Sequence, residues 1–156
     1  MVFRGAPYVP SQKKYARQAL TDLYKLSDND VLVDVGSGDG VILRMASGLG
    51  ARAVGYELNP ALVLISRILS RGDKKVSVRL ADFWPTKLPD DTTIVYAFMV
   101  TRDIAKMTKK MQAEADRLGR ILYFMTYGSH IETKTPDRTL GAYFLYSFHP
   151  LQSVLP

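Results

Sequence analysis

The chain has 156 residues, 47% of them hydrophobic and 23% charged, which is the size and composition of one globular domain. It has no cysteine, which excludes disulfides, thiolate metal sites and cysteine nucleophiles, and only two histidines, so no metal site is predicted. A formal net charge of +6 suits an acidic partner, such as nucleic acid or an anionic membrane surface, but also serves solubility alone.

Strand and helix patterns alternate along the chain. An extended stretch, Pro-Tyr-Val-Pro at 7–10, precedes Ser11, a predicted N-cap, and a leading helix with Leu20 and Leu23 at helical spacing. Further helices are predicted from Gly40 to Gly50, from Pro60 to about residue 70, and over 103–118. Strands are predicted at 31–35, 51–56, 76–80, 92–99, 120–125 and 142–148.

Such alternation with short connections predicts a doubly wound, mostly parallel α/β sheet that binds its ligand at the carboxyl ends of the strands. The last strand, 142–148, follows no helical pattern and is predicted to close the sheet as an antiparallel hairpin. We expect a single domain over 1–156, with a lid segment and leading helix at 1–27 and the core at 28–156. No stretch is apolar enough to span a membrane, and a cytoplasmic protein is expected.

The most informative motif is Asp-Val-Gly-Ser-Gly-Asp-Gly at 34–40, between the first buried strand and the first covering helix. Glycines let a ligand approach the backbone, and the following helix offers free N–H groups to polar atoms. A dinucleotide fingerprint needs its third glycine at position 41, but here it comes at Gly40. The spacing therefore disfavours a nicotinamide cofactor.

An acidic residue two positions before Gly-x-Gly-x-Gly resembles motif I of the class I, seven-strand methyltransferases, which use S-adenosylmethionine. Glu57, at the end of the second strand, matches the family carboxylate that accepts both ribose hydroxyls, and Asp82-Phe83 matches the adenine site. The resemblance implies a Rossmann-like seven-stranded sheet and S-adenosylmethionine as cofactor. It assigns to the cofactor site Asp34, Gly36, Ser37, Gly38, Gly40, Glu57, Asp82 and Phe83.

Each of these features also has a purely structural interpretation. The glycine loop is also what a tight turn looks like, Glu57 could be a strand-end charge, and Asp82 could cap a turn. Asp34 could hold the glycine loop by accepting backbone N–H bonds, with or without contacting the cofactor. The three matches in order favour the cofactor interpretation.

The segment 7–11 narrows the resemblance to the small archaeal and bacterial protein-lysine methyltransferases and their mitochondrial relatives. In that family the stretch folds over the cofactor, which implies a lid made of Tyr8, Val9 and Pro10; a simple tail is the alternative. The resemblance covers about residues 6 to 82.

The methyl acceptor is less clearly marked. Residues 98–101, Phe-Met-Val-Thr, lack the Asn or Asp followed by Pro-Pro and an aromatic residue that adenine and glutamine methyltransferases carry. A lysine needs only an apolar channel and a route for its proton. A protein lysine is therefore the predicted acceptor, with Tyr8, Phe98 and Thr101 lining the channel. An RNA methyltransferase and a noncatalytic S-adenosylmethionine-binding module stay as alternatives.

Two sets of side chains outside the motif have open roles. Lys106, Lys109 and Lys110 form either a solvated helix face or a nucleic-acid contact. Aromatic residues cluster in the last two strands, where they belong either to the core or to a cage for a methylated ammonium. The sequence gives no indication of oligomeric state.

Overall fold

The computed structural model describes residues 10–151, with side chains described from residue 13. Its helices are α1 (Pro10–Gln18), which continues as a π-helical turn (Ala19–Leu23), α2 (Val41–Gly48), α3 (Pro60–Leu69) and α4 (Thr101–Leu118). Its strands are β1 (Val31–Val35), β2 (Arg52–Glu57), β3 (Val76–Leu80), β4 (Ile94–Met99), β5 (Leu122–Gly128), β6 (Arg138–Leu140) and β7 (Tyr143–Phe148).

The seven strands form one sheet in the order β3-β2-β1-β4-β5-β7-β6. The pairs from β3 to β5 are parallel, whereas β7 is antiparallel to both β5 and β6. The chain runs from β1 outward to β3 and then returns to place β4 on the other side of β1. This reversal between β1 and β4 opens a crevice at their carboxyl ends, which is where doubly wound sheets bind ligands. The predicted sheet and its antiparallel hairpin are confirmed.

The local sequence signals explain most of the element boundaries. All five residues of β1 are buried, as expected for a central strand covered on both faces. Asn59 caps α3 by accepting a hydrogen bond from Ala61 N at 3.0 Å, and Pro60 takes the first helical position, as predicted. Other boundaries differ: α1 begins at Pro10 and therefore includes Ser11, and α4 begins two residues earlier than predicted, at Thr101.

Helices cover the two faces of the sheet unequally. The π-helical turn after α1, together with α2 and α3, contributes Leu20, Leu43 and Val63 to the core on one face, and α4 contributes Met107 and Met111 on the other. In the described chain, the connections after β3 and after β5 contain no helix. The 81–93 segment therefore reaches β4 as an irregular loop that packs beside α4, through its Phe83 and Leu88 side chains. None of the helices over 10–151 has the length and apolar character needed to cross a membrane.

Candidate functional site

The loop from β1 to α2 is held by the end of β2. The N–H groups of Gly36 and Ser37 both donate to the Tyr56 carbonyl, at 2.8 and 3.1 Å, and Gly38 N donates to Glu57 Oε2 at 3.3 Å. Asp34 does not hold the loop, since its carboxyl accepts no hydrogen bond within the described chain. The alternative role considered for Asp34 is therefore wrong, because Tyr56 and Glu57 already fix the loop.

Two glycines of the motif serve different purposes. Gly38 has φ +57°, and a Cβ built on it would meet no atom within 4 Å, so its backbone faces open space beside Glu57. Gly40 has φ +85°, and a Cβ there would overlap the Ser66 hydroxyl of α3. Gly38 can thus admit a ligand, whereas Gly40 allows α2 to pack closely against α3.

The side chain of Ser37 is turned into the protein. It is 5% exposed, and it packs with Leu43 against Gly55 of β2, at a place where any larger residue would collide with it. Its hydroxyl has no hydrogen-bond partner among residues 10–151. The predicted contact of Ser37 with a cofactor stays a prediction, and the side chain itself contributes packing.

Two carboxyl groups meet at the carboxyl ends of β1 and β2. Asp34 is only 3% exposed; burial raises its pKa well above the usual range, and the nearby negative charge of Glu57 raises this pKa further. Glu57 is half-buried and also accepts from Asn59 N at 3.3 Å. In the described part of the chain no Lys or Arg pairs with either carboxyl. The site therefore favours a ligand that carries positive charge and hydroxyl donors.

Asp82 and Phe83 follow β3 and are placed differently. Asp82 is exposed; its Oδ1 accepts from Trp84 N at 3.1 Å, so it caps the local turn while its other oxygen stays available. Phe83 is 4% exposed and packs edge-on against Tyr56 in the core. The structure gives Phe83 a packing role, and its predicted contact with an adenine ring stays a prediction.

Two of the three lysines of α4 contact this loop, although Lys106 and Lys109 are exposed, in agreement with the solvated helix face considered for them. Lys110 Nζ donates to the carbonyls of Trp84 and Thr86, at 3.1 and 2.7 Å, and lies 4.8 Å from the centre of the Phe83 ring. Lys106 Nζ lies 4.3 Å from the centre of the Trp84 ring. The spacing of the lysines could not predict these contacts, because their partners belong to a loop that comes some 25 residues earlier in the chain.

The ends of β4 and β5 carry the residues predicted for the acceptor channel. Phe98 is 38% exposed and its ring lies 5.5 Å from that of Tyr127, its register partner on β5. Thr101 opens α4 and its hydroxyl lies 3.1 Å from that of Ser129. Phe98 and Thr101 thus lie at the same end of the sheet as the glycine loop. Ser129 was missed, and no sequence signal distinguishes it from an ordinary loop serine.

A cavity of about 260 Å³ lies beside Tyr127, on the α1 side of the sheet. Tyr127 and Tyr143, stacked with ring centres 4.6 Å apart, form one wall, and Tyr15 and Gln18 of α1 form another. Residues 140–142 of the β6–β7 turn complete the lining. We call this the tyrosine cavity. Part of the aromatic cluster thus lines a cavity, whereas Phe124, Tyr146 and Phe148 are buried in the core, which is one of the two roles considered for the cluster.

Tyr96 connects the tyrosine cavity with the carboxyl pair. It is the register partner of Asp34 across β1 and β4 and is 6% exposed. Burial raises its pKa well above the usual range, and the neighbouring Tyr143 and Asp34 raise this pKa further. Burial also raises the pKa of Tyr143, to about 12. Both phenols are therefore neutral at physiological pH, so the walls of the cavity carry no charge from them.

The predicted lid cannot be placed. Tyr8 and Val9 lie outside the described residues. Pro10 is the first residue of α1, and its side chain is not among those that the structure describes.

Comparison with known proteins finds methyltransferases, which agrees with the glycine loop and the strand order described above. The chain is 33% identical to the ATP synthase C-subunit lysine N-methyltransferase of Xenopus laevis, over 74% of this chain and 51% of that protein. It is 28% identical to a protein-lysine N-methyltransferase of Saccharolobus islandicus, over 69% of each chain. The chain thus spans about half the length of the Xenopus relative.

The fold also matches a solved structure almost from end to end. An RNA methyltransferase from Salinibacter ruber, in complex with S-adenosyl-L-homocysteine, superposes with a TM-score of 0.76 over 95% of this chain and 96% of that one. At 24% identity, this likeness is evidence of the fold alone. The family model of the ANTKMT methyltransferase domain matches residues 34–124, from the carboxylate of the glycine motif into β5. The chain belongs to this methyltransferase family.

Proposed function

We propose that this chain is an S-adenosylmethionine-dependent methyltransferase that modifies lysine side chains of a protein. The observation that carries the proposal is the juxtaposition of a buried Asp34, which pairs with no Lys or Arg of the described residues, with Glu57 and the open backbone of Gly38. Membership of the family and the names of the lysine-modifying relatives support the same assignment.

The carboxyl pair suits both polar parts of such a cofactor. From the described residues Glu57 accepts two hydrogen bonds, both long at 3.3 Å, which leaves lone pairs for a ribose diol. Asp34, once ionised, would balance a cationic amino or sulfonium group. Asp82 is exposed on the neighbouring loop with an oxygen free to accept from an amine. When bound, S-adenosylmethionine supplies an electrophilic methyl group on a positively charged sulfur.

The tyrosine cavity suits the side chain of a lysine. A lysine amine accepts a methyl group only in its neutral form, and an apolar wall lowers its pKa toward that form. Tyr127 and Tyr143 would align the aliphatic stem together with Phe98, which packs beside Tyr127, and the paired hydroxyls of Thr101 and Ser129, after β4 and β5, could pass the released proton to water. No charged side chain of the described residues lines this cavity.

Calorimetry tests the cofactor assignment. We expect wild type to bind S-adenosylmethionine, and Glu57→Gln to bind it at least about tenfold more weakly, since the amide replaces one of the two acceptor oxygens with a donor. Glu132→Gln, a neutral change at an exposed residue of the β5–β6 loop, is the matched control and should bind like wild type. Equal affinity in Glu57→Gln would refute the assignment.

The acceptor class needs a separate experiment. Lysate is incubated with the protein and cofactor labelled on its methyl group, then treated with either protease or RNase. Label that only protease removes, and that mass spectrometry maps to lysine, supports the proposal. Label that only RNase removes would reassign the enzyme to RNA, and an absence of label despite cofactor binding would indicate a noncatalytic module.

A further inference from the structure

Helix α3 exposes large apolar side chains that a core helix would bury. Eight of its ten residues are apolar, yet its buried residues are Val63 and the polar Ser66. Leu64, Ile65, Ile68 and Leu69 are instead 59%, 44%, 61% and 55% exposed. We call these four side chains the α3 apolar face. A soluble surface rarely concentrates so many large aliphatic side chains on one helix, so such a patch indicates a binding surface.

The apolar surface continues beyond the helix. Leu58 precedes α3 by two residues and is 50% exposed, and Leu80 ends β3, on which α3 packs, and is 54% exposed. β3 is the edge of the sheet, so nothing in the described chain pairs with its outer side. The apolar surface therefore reaches the carboxyl end of the sheet, where Glu57 lies.

Basic side chains flank this surface. Arg67 lies within α3, and Arg71 and Lys74 follow it in the turn to β3, all three exposed. Arg67 donates to the Val78 carbonyl of β3 at 2.9 Å but pairs with no carboxylate of the described chain. Within residues 10–151, Arg71 and Lys74 also have no acidic partner. Their charges are thus available to an external anionic group.

We infer that the α3 apolar face docks on an anionic lipid bilayer. Its leucine and isoleucine side chains would enter the acyl boundary, while Arg67, Arg71 and Lys74 would contact the phosphates of the headgroups. This combination of an aliphatic face and flanking cations is the pattern of helices that lie in a membrane interface. The inference rests on these side chains alone and does not depend on the proposed function.

A second copy of the chain fits this surface less well. A two-fold interface through α3 would be formed by this same surface of both copies, so each copy would bring its own flanking cations to it. Arg67, Arg71 and Lys74 of both copies would then be brought together, and in the described chain none of them has a carboxylate partner to offset the charge. Their repulsion opposes the dimer, whereas the same charges favour an anionic membrane.

Vesicle flotation tests the inference. We expect wild type to float with phosphatidylcholine vesicles that contain phosphatidylglycerol, and far less with phosphatidylcholine alone. Ile65→Asp/Ile68→Asp should reduce this binding about tenfold or more, because charge cannot enter the acyl boundary. The matched control, Ile121→Asp, changes an isoleucine that is 38% exposed before β5 and should leave binding unaltered.

Two double variants test how much charge contributes to vesicle binding. Arg71→Glu/Lys74→Glu should weaken binding to the anionic vesicles by about tenfold or more. Lys25→Glu/Lys109→Glu makes the same change in net charge at exposed lysines elsewhere and should weaken it much less. Circular dichroism and S-adenosylmethionine calorimetry on every variant separate a docking defect from misfolding or a cofactor defect.

Ile68→Trp gives a direct readout of insertion. On anionic vesicles we expect its fluorescence to shift to the blue and to be quenched by brominated lipid, beyond any change shown by wild type, whose single tryptophan is Trp84. The inference would be overturned by an absence of wild-type binding, or by equal binding of Ile65→Asp/Ile68→Asp. It would also be overturned by a wild-type dimer in light scattering that this double variant dissociates, since a second copy would then be the occupant.

Discussion

At the scale of single residues, Asp34 is the group whose ionisation matters most. Its raised pKa means that the folded protein holds this proton up to a higher pH than an ordinary aspartic acid does. The carboxyl therefore contributes to folding stability at pH values below its unfolded-state pKa, and that contribution is lost as the pH rises through the folded-state pKa. A cationic ligand has the opposite preference, because it interacts best with the ionised carboxylate.

We expect S-adenosylmethionine binding to release a proton from Asp34. Below the folded-state pKa of Asp34, affinity should rise by about tenfold per pH unit, and it should level off above that pKa. Asp34→Asn should bind weakly with little pH dependence, yet unfold at a higher temperature than wild type at alkaline pH. Calorimetry in buffers of different ionisation enthalpy measures the protons released, and proton uptake in wild type would contradict the prediction.

Gly38 offers a second test at a single position. Gly38→Ala places a Cβ in open space. We therefore expect the free energy of unfolding to fall by only about 1–2 kcal/mol, which is the cost of holding an alanine in the left-handed conformation. Cofactor affinity should fall about tenfold or more, since the Cβ would occupy the ligand's side of the loop. Gly119→Ala is the matched control: φ is +67°, no atom lies within 4 Å, and it ends α4 away from the site. Urea unfolding and calorimetry separate the two effects, and a similar affinity loss in both variants would contradict this role for Gly38.

At the scale of elements, the loop after β3 takes its shape from α4. Lys110 holds two of its carbonyls, although burial lowers the pKa of this lysine. Lys110→Met should therefore destabilise the protein by about 1–2 kcal/mol. It should also weaken cofactor binding, because Asp82 belongs to the same loop. Lys109→Met, at the exposed neighbouring position, should change neither urea unfolding nor calorimetry. Equal stability of the two variants would show that these hydrogen bonds contribute nothing.

The elements also show which features a sequence can reveal. The strand β1, the cap at Asn59 and the Gly38 loop follow from patterns local to the chain, and these were predicted. The orientation of α3 was not, because an apolar helix is normally taken to be buried, and only the packing of Ser66 against Gly40 reveals which side faces inward. The tyrosine cavity likewise depends on register between β5 and β7, which brings Tyr127 opposite Tyr143.

At the scale of the whole molecule, the strand order places the residues proposed for the cofactor and those proposed for the acceptor in different halves of the sheet. β1, β2 and β3 carry Asp34, Glu57 and the approach to Asp82, whereas β4, β5 and β7 carry Phe98 and the tyrosine cavity. The α3 apolar face lies on the outer edge of the first half. A membrane docked there and a lysine in the cavity would occupy different surfaces at the same time. We keep the cytoplasmic location as a prediction, with the membrane contact as a peripheral one.

This division implies that cofactor binding and acceptor binding can be separated by mutation. Tyr127→Ala removes one wall of the tyrosine cavity but touches neither the glycine loop nor Glu57. We expect its Kd for S-adenosylmethionine to stay within about twofold of wild type, while KM for a lysine-containing protein rises about tenfold. Phe144→Ala removes a half-buried aromatic ring from the opposite face of the same hairpin and is the control for lost stability. If Tyr127→Ala and Phe144→Ala raise KM equally, the cavity does not receive the acceptor. If Tyr127→Ala instead weakens cofactor binding, the two halves of the sheet are not independent.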